Sequence, residues 1–338
     1  MKRILYVLIS AVFLCSCSLK EEKSAQRDIF AMDTFMTVKA YGEKSENAVN
    51  LSAEKIRQLE KLFSVTDSES DISKINNAYG KPVKISDDTS DIMNFALDMC
   101  RKTDGNLDIT IYPVLKEWGF TGSEYKIPDI RKISELLELV DYKKVNIDGN
   151  IITIPENMQT DLGSAAKGYA ADRIAEIFRE NSIESGIINL GGNIAAVGSK
   201  PDGSDWNIGI ADPYAPEKNI CTVDISDCAV VTSGNYERYF TDENGNRYWH
   251  ILNPENGYPA DSGLVSVTVI GKSAAVCDAL STALFVMGTE KASEYYQNNT
   301  DFEAVMIDDN SDIFITQGIA DCIHINDDSE FSIINREQ

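Results

Sequence analysis

DLGSAAKGYAADRIAEIFRENSIESGIINLGGNIAAV, residues 161–197, carries two structural periods in succession. Small residues lead into an apolar pattern of Tyr169, Ala170, Ile174, Ile177 and Phe178, which predicts a helix over 166–180 with these side chains inward. The period then shortens to strands at 187–190 and 194–197, with Gly191-Gly192-Asn193 between them. On the N-terminal side, Val49, Ala53, Ile56, Leu59 and Phe63 predict a helix over 46–63. Another is expected over 90–102, with Ser90 near its start, and residues 144–154 read as a hairpin across Asp148-Gly149-Asn150. On the C-terminal side, strands are expected at 206–211, 221–225, 229–232, 247–252 and 264–270, then a helix over 274–288. Strands at 303–307 and 312–316 flank Asp309-Asn310, and one more fits 322–326. Helices mixed with hairpins, without regular βαβ alternation, point to an α+β fold.

The ends of the chain read differently. Met1-Lys-Arg is followed by an apolar run over 4–14, too short for a membrane span of roughly 20 residues but suited to a secretory signal. Leu14-Cys15-Ser16-Cys17 has the form of a bacterial lipoprotein box, with Cys17 as the lipidated residue after cleavage of 1–16. A plain secreted protein or an uncleaved anchor would carry a similar leader. Residues 17–28 are polar and lack periodicity, so a flexible tether is expected there. Residues 29–326 are long enough for one large domain or two fused ones, with 327–338 as a C-terminal tail.

The formal net charge is −23, and −25 without Lys2 and Arg3, which argues against nucleic acid as a partner. An anionic ligand would then need local basic residues or a metal cation at its site. Of seven cysteines, five lie beyond Cys17, with no CxxC pair. Buried free thiols are the simplest reading, and nothing supports a Cys221–Cys228 bridge.

Four clusters hold more Gly, Asp, Asn, Thr and Ser than a core requires. In the first, Lys167 stands in the opening turn of a helix, where free N–H groups and the dipole attract anions. A lysine there suits an anionic ligand, although a solvated lysine would look the same. In the second, Asp278 and Thr282 are four apart on one helix face and suit a hard cation, or a simple hydrogen bond. The third, Thr232 to Arg238 with Trp249-His250-Ile251-Leu252-Asn253-Pro254, contains one of only two histidines, at the edge of a Pro/Gly-rich loop. It could serve a ligand or the structure. The fourth, Asp104-Gly-Asn-Leu-Asp108-Ile-Thr110, has turn chemistry at its start, but that does not account for Asp108 and Thr110 among apolar residues.

Taken in order, these clusters resemble one family, the ApbE-like FAD:protein FMN transferases, from about residue 29 to 325. The carrying motifs are Met32-Asp33-Thr34, Ser64-Val-Thr-Asp through Asn76, Gly105 through Thr110 with Trp118-Gly-Phe, and Asp161-Leu-Gly through Tyr169. They continue with Asn189-Leu-Gly-Gly-Asn193, Thr232-Ser-Gly234, His250 through Pro254 with Gly257-Tyr-Pro259, and Asp278 through Thr282. Two positions depart from the family pattern: Asp33 replaces a glycine, and Asn253 replaces an aspartate.

The resemblance implies two related α/β halves with antiparallel sheets, like a duplicated T-fold, and an FAD cleft between them. It implies Mg²⁺ held by Asp278, Thr282 and the main-chain oxygen of Ser164. Contacts to FAD are implied for Met32, Asn76, Asn106, Leu107, Asp108, Asp161, Lys167 and Ile251. The implied reaction moves FMN from FAD to a Ser or Thr hydroxyl of an acceptor flavoprotein and releases AMP, with His250 as proton acceptor. Acceptors of the kind implied are subunits of redox-driven ion pumps and extracellular reductases, met at the outer face of a bacterial membrane. Hydrolysis of FAD to FMN and AMP, or flavin binding without turnover, are the alternatives.

Overall fold

Every residue from 264 to 270 is buried, so this strand is covered on both faces. Val267 and Val269 join the main core, while Ile270 joins a second apolar cluster on the opposite face. Alternate residues of one strand thus enter two different cores, as a central strand with both faces covered requires. The computed structural model describes residues 23–122, 124–325 and 331–336. Cys17 and the signal segment lie outside the described residues.

In chain order, β1 (Ser24–Ala31) and β2 (Thr34–Tyr41) precede α1 (Ser45–Phe63), α2 (Asp71–Asn76), β3 (Val83–Lys84) and α3 (Asp87–Lys102). Next come α4 (Tyr112–Glu117), α5 (Ile130–Leu137), β4 (Asn146–Asp148), β5 (Ile151–Thr153) and α6 (Ala166–Glu180). The middle of the chain forms β6 (Ser185–Leu190), β7 (Asn193–Val197), β8 (Trp206–Asp212), β9 (Ala215–Ile225) and β10 (Ala229–Gly234). A small hairpin, β11 (Tyr239–Thr241) and β12 (Arg247–Trp249), leads to β13 (Leu264–Gly271) and α7 (Ala274–Asn298). Then β14 (Phe302–Asp308), β15 (Ile313–Thr316), β16 (Ile323–Ile325) and β17 (Phe331–Ile334) follow.

Nine strands form one sheet in the order β1-β2-β6-β7-β10-β13-β14-β15-β17. Its pairs are antiparallel except β15 with β17. The β7–β10 pair joins strands from the first part of the chain to those of the second. Helices α1, α6 and α7 pack on one face, and the three-stranded sheet β16-β9-β8 covers part of the other. The α+β expectation therefore holds, with antiparallel pairing dominant.

The ends differ from the sequence expectation. The tether was expected to reach residue 28, yet β1 begins at Ser24. It is an edge strand, so Gln26, Asp28 and Phe30 stay exposed while Ile29 and Ala31 are buried. That polar outer face hides its strand character from a search for apolar runs. Likewise the tail expected from 327 contains β17, whose side chains are mostly exposed while its backbone pairs with β15. The helix expected from 90 starts at Asp87, capped by the Ser86 hydroxyl, which accepts from Thr89 N–H. The expected 274–288 helix continues to Asn298 across a break at Gly288, where φ is +77°. The strand expected over 247–252 stops at Trp249. All five described cysteines are free, with Cys100, Cys221 and Cys277 buried and Cys322 exposed.

Helices α6 and α7 meet at Gly168. A Cβ there would lie 2.3 Å from the Ala274 carbonyl oxygen and 2.7 Å from Ala275 Cα, so only glycine permits this approach. Asp172, one turn later on α6, caps α7: its carboxylate accepts from the Ser273 hydroxyl at 2.7 Å and from Ala274 N–H at 2.8 Å. Gly168→Ala is expected to cost about 1–3 kcal/mol of stability by overpacking this crossing. Urea unfolding checks it, and an unchanged midpoint would refute the close approach.

Candidate functional site

The crossing of α6 and α7 sets the chemistry of the site. Asp278, only 4% exposed, reaches back from α7 and its Oδ2 accepts from Gly168 N–H at 2.9 Å. In a regular helix that N–H would donate to the carbonyl of residue 164. Here the residue before α6, Ala165, has φ −144° and ψ −22°, and among the described hydrogen bonds the Ser164 carbonyl accepts none. A carboxylate thus replaces a carbonyl in the helix ladder and frees that carbonyl. Lys167 Nζ lies 3.8 Å from Asp278 Oδ1. The Thr282 hydroxyl lies 3.5 Å from the Asp278 carbonyl oxygen and 3.3 Å from Ser233 Oγ.

Two adjoining cavities open in front of this pair. One, of about 340 Å³, is lined by Met32, Asp33, Glu60, Asp161, Lys167 and Arg238 among others. A second, of about 90 Å³, is lined by Asn106, Leu107, Asp108, Asp161, Ser164, His250, Ile251 and Thr282 among others. Asp161 and Leu115 line both, so the two are continuous neighbours. A larger cavity of about 730 Å³ lies beside the ends of α7 and β9 and is lined by none of the candidate site residues.

Asp278 stands behind these cavities without lining them, and Asn76 lies apart from them. Its amide donates to the Thr160 carbonyl at 2.9 Å and accepts from Thr160 N–H at 2.7 Å, and it faces a different hollow. It holds the segment that presents Asp161. Asp108 is also occupied by the protein. Its carboxylate accepts from Thr110 N–H at 2.8 Å, the Thr110 hydroxyl at 2.6 Å and Tyr142 N–H at 3.1 Å. That network accounts for two polar residues among apolar ones: they brace the loop that walls the smaller cavity.

His250 ends the β11–β12 hairpin. Its backbone N–H and its ring Nδ1 both meet the Arg238 carbonyl oxygen, at 3.1 and 3.2 Å. A carbonyl only accepts, so Nδ1 carries the proton and Nε2 keeps a free lone pair in the neutral ring. Burial first, then the cations of Arg238 and Lys167, push its pKa down to about 4. Burial pushes the carboxyl groups of Asp108 and Asp161 up. Burial pushes the Glu237 carboxyl up to about 7, with Lys167 opposing and the nearby Asp278 carboxylate adding to the rise.

Arg238 and Glu237 are site residues to which the sequence reading gave no role. The available signal was an arginine inside the Thr232–Arg238 cluster of a chain at −23. Glu60, which accepts from Met32 N–H at 2.8 Å, carried no signal in its own helix.

The donor set suits a hard cation: one carboxylate from Asp278, the Thr282 hydroxyl and the freed Ser164 carbonyl. Among the described residues no group of three or more His, Cys, Asp or Glu could hold a metal. Such an ion would take the rest of its shell from water and ligand oxygens.

The sequence model of the ApbE family matches residues 32–306. The chain belongs to the ApbE family. It is 35% identical over 268 residues to the FAD:protein FMN transferase of Klebsiella pneumoniae strain 342, covering 77% of this chain and 82% of that one. The solved ApbE protein of Thermotoga maritima is 32% identical, with a TM-score of 0.83, covering 88% of this chain and 98% of that one. The apo flavinyl transferase ApbE of Pseudomonas stutzeri is 30% identical with a TM-score of 0.76, over 85% of this chain and 92% of that one.

Both departures from the ApbE pattern are accommodated. Met32 and Asp33 form the two-residue turn between β1 and β2, with φ of 49° and 58°. That turn favours glycine, and aspartate is among the side chains that tolerate it. The Asn253 side chain accepts from Glu255 N–H at 2.9 Å, a bond an aspartate would also make.

The pKa of His250 is directly measurable. With two imidazoles in the chain, the NMR resonance lost in His250→Gln should titrate near 4 in ligand-free protein. A midpoint near the ordinary imidazole value of about 6.5 would contradict the crowded, cation-flanked setting.

Proposed function

We propose that this chain is an FAD:protein FMN transferase, acting with Mg²⁺ at the extracytoplasmic face of a bacterial membrane to which Cys17 anchors it by lipid. The observation that carries this reading is the freed Ser164 carbonyl, opened by the Asp278 carboxylate next to Thr282 and opposite His250. Family membership and the curated relatives named for this activity support it. The leader and lipoprotein box support the location.

FAD fills the adjoining cavities in this reading. Met32, Asn106, Leu107 and Ile251 line the walls, Asp108 braces them, and Asn76 fixes the segment bearing Asp161. Lys167 and Arg238 bring positive charge to the pyrophosphate in a chain that would otherwise repel it. Asp278, Thr282 and the Ser164 carbonyl hold the cation, which supplies neutralisation of the pyrophosphate and of the charge that develops during transfer. A Ser or Thr oxygen of the acceptor protein forms the new bond to the FMN phosphorus. The bond from that phosphorus to the bridging oxygen breaks, and the oxygen departs with AMP. The hydroxyl proton passes to Nε2 of His250, already unprotonated at neutral pH. The acceptors are extracytoplasmic flavoproteins, such as ion-pump subunits or reductases.

His250→Ala should lower FMN transfer at least about 100-fold while leaving FAD affinity nearly intact. Covalent flavin fluorescence on a denaturing gel reads the first and equilibrium titration the second; full transfer would exclude the residue. Asp278→Ala should abolish both activity and the response to Mg²⁺. Persistent Mg²⁺ stimulation in that variant would remove Asp278 from the ligand set. Free FMN and AMP with no labelled acceptor would favour the hydrolase instead.

A further inference from the structure

The acceptor hydroxyl must reach His250, and the hairpin that carries His250 has unused pairing capacity. Strands β11 and β12 pair only with each other among the described residues. Their ladder continues to His250, whose N–H donates to the Arg238 carbonyl, and at the other end Asp242 N–H donates to the Asn246 carbonyl. In an antiparallel ladder, hydrogen-bonded and non-bonded pairs alternate. With Arg238–His250 and Asp242–Asn246 bonded, Phe240–Tyr248 is bonded as well. The main-chain N–H and C=O groups of Arg247 and Trp249 therefore point outward from β12, and those of Tyr239 and Thr241 outward from β11. No described hydrogen bond uses the outward groups of Arg247 or Trp249.

The hairpin is also apolar on one face. Phe240 stacks on Tyr248 at 5.2 Å and on Tyr125 at 5.1 Å, and the Phe120 ring meets His250 at 6.4 Å. Trp118, fixed by its indole N–H to the Gly257 carbonyl at 2.8 Å, packs beneath. An edge strand of this kind is a ready template for an extended segment of another chain. Main-chain pairing supplies affinity in such complexes, and neighbouring side-chain surfaces supply selectivity.

We propose that the acceptor polypeptide adds as an extended strand along the free edge of β12, pairing with the main chain of Arg247 and Trp249, so that its Ser or Thr is carried to His250 at the end of that strand. The proposal rests on the transferase reading for the identity of the partner. It explains how one enzyme selects a hydroxyl within a polypeptide: the strand sets which residue arrives at Nε2.

The test separates backbone from side chain. Arg247→Pro removes an outward N–H and no bond of the hairpin ladder, whereas Arg247→Ala keeps that N–H and removes the guanidinium that lies 4.7 Å over Tyr239. Thr241→Pro does the same to the β11 edge. The probe is a fluorescein-labelled peptide bearing the Ser/Thr site of a flavin-accepting domain, with FAD and Mg²⁺ present and polarisation as readout. Arg247→Pro should weaken binding about three- to tenfold, as loss of a main-chain bond predicts, with Arg247→Ala and Thr241→Pro much closer to the parent protein. Equal loss in Arg247→Pro and Arg247→Ala, or loss confined to Thr241→Pro, would overturn the proposal. N-methylation along the peptide tests it without altering the protein: losses at every second position are expected, and losses without that period overturn it. Covalent flavin is scored on the same samples. Period-two binding with no transfer would uphold the docking edge and count against the transferase reading; transfer indifferent to these changes would do the reverse.

Discussion

The carboxylate of Asp278 on the N–H of Gly168 is the contact on which the site depends. It exists because Gly168 lets α6 approach the start of α7 closely, and because Asp172 fixes that start. It puts a negative charge against a helix N-terminus, where the dipole favours it. It also takes over a backbone donor and so exposes a carbonyl one residue before the turn. Helix packing, capping and ligand geometry are joined in this one bond, and a shift of α6 along α7 would disturb all three.

Charge is the second constraint. A chain at −23 opposes the entry of any anionic ligand. Lys167 and Arg238 line the cleft, and Lys167 lies near Asp278. The same two cations help to keep His250 unprotonated. Positive charge and basicity are therefore coupled: the cations that line the cleft also help to keep the His250 ring neutral.

The organisation around His250 differs from that around Asp278. Asp278 stands on a buried helix of the main core, whereas His250 closes a two-stranded hairpin backed by a separate aromatic cluster. Asp278 and Thr282 stand on a helix packed into the main core, and His250 stands on a smaller unit with an open edge. That division suits a reaction with one small, deeply held substrate and one large substrate arriving from outside.

The helices at 45–63 and 166–180 and the strand at 264–271 were legible in the chain, because burial of one stripe or both faces leaves a strong apolar period. The strands at 24–31 and 331–334 were not, since edge strands exposed on one side carry polar or mixed residues and are held by backbone pairing. The residue types able to do the chemistry were also legible, through an ordered set of motifs. Their meaning was not. The resemblance implied FAD contacts for Asp108 and Asn76, and the fold adds what no motif showed: their polar atoms also meet Thr110, Tyr142 and Thr160. Arg238 and the freed carbonyl of Ser164 emerge only from distant segments meeting. Local sequence dictates period, caps and chemical type because these act over a few residues. Which donor faces which acceptor across a hundred residues is settled by the packing of α6 on α7, and no local pattern encodes it.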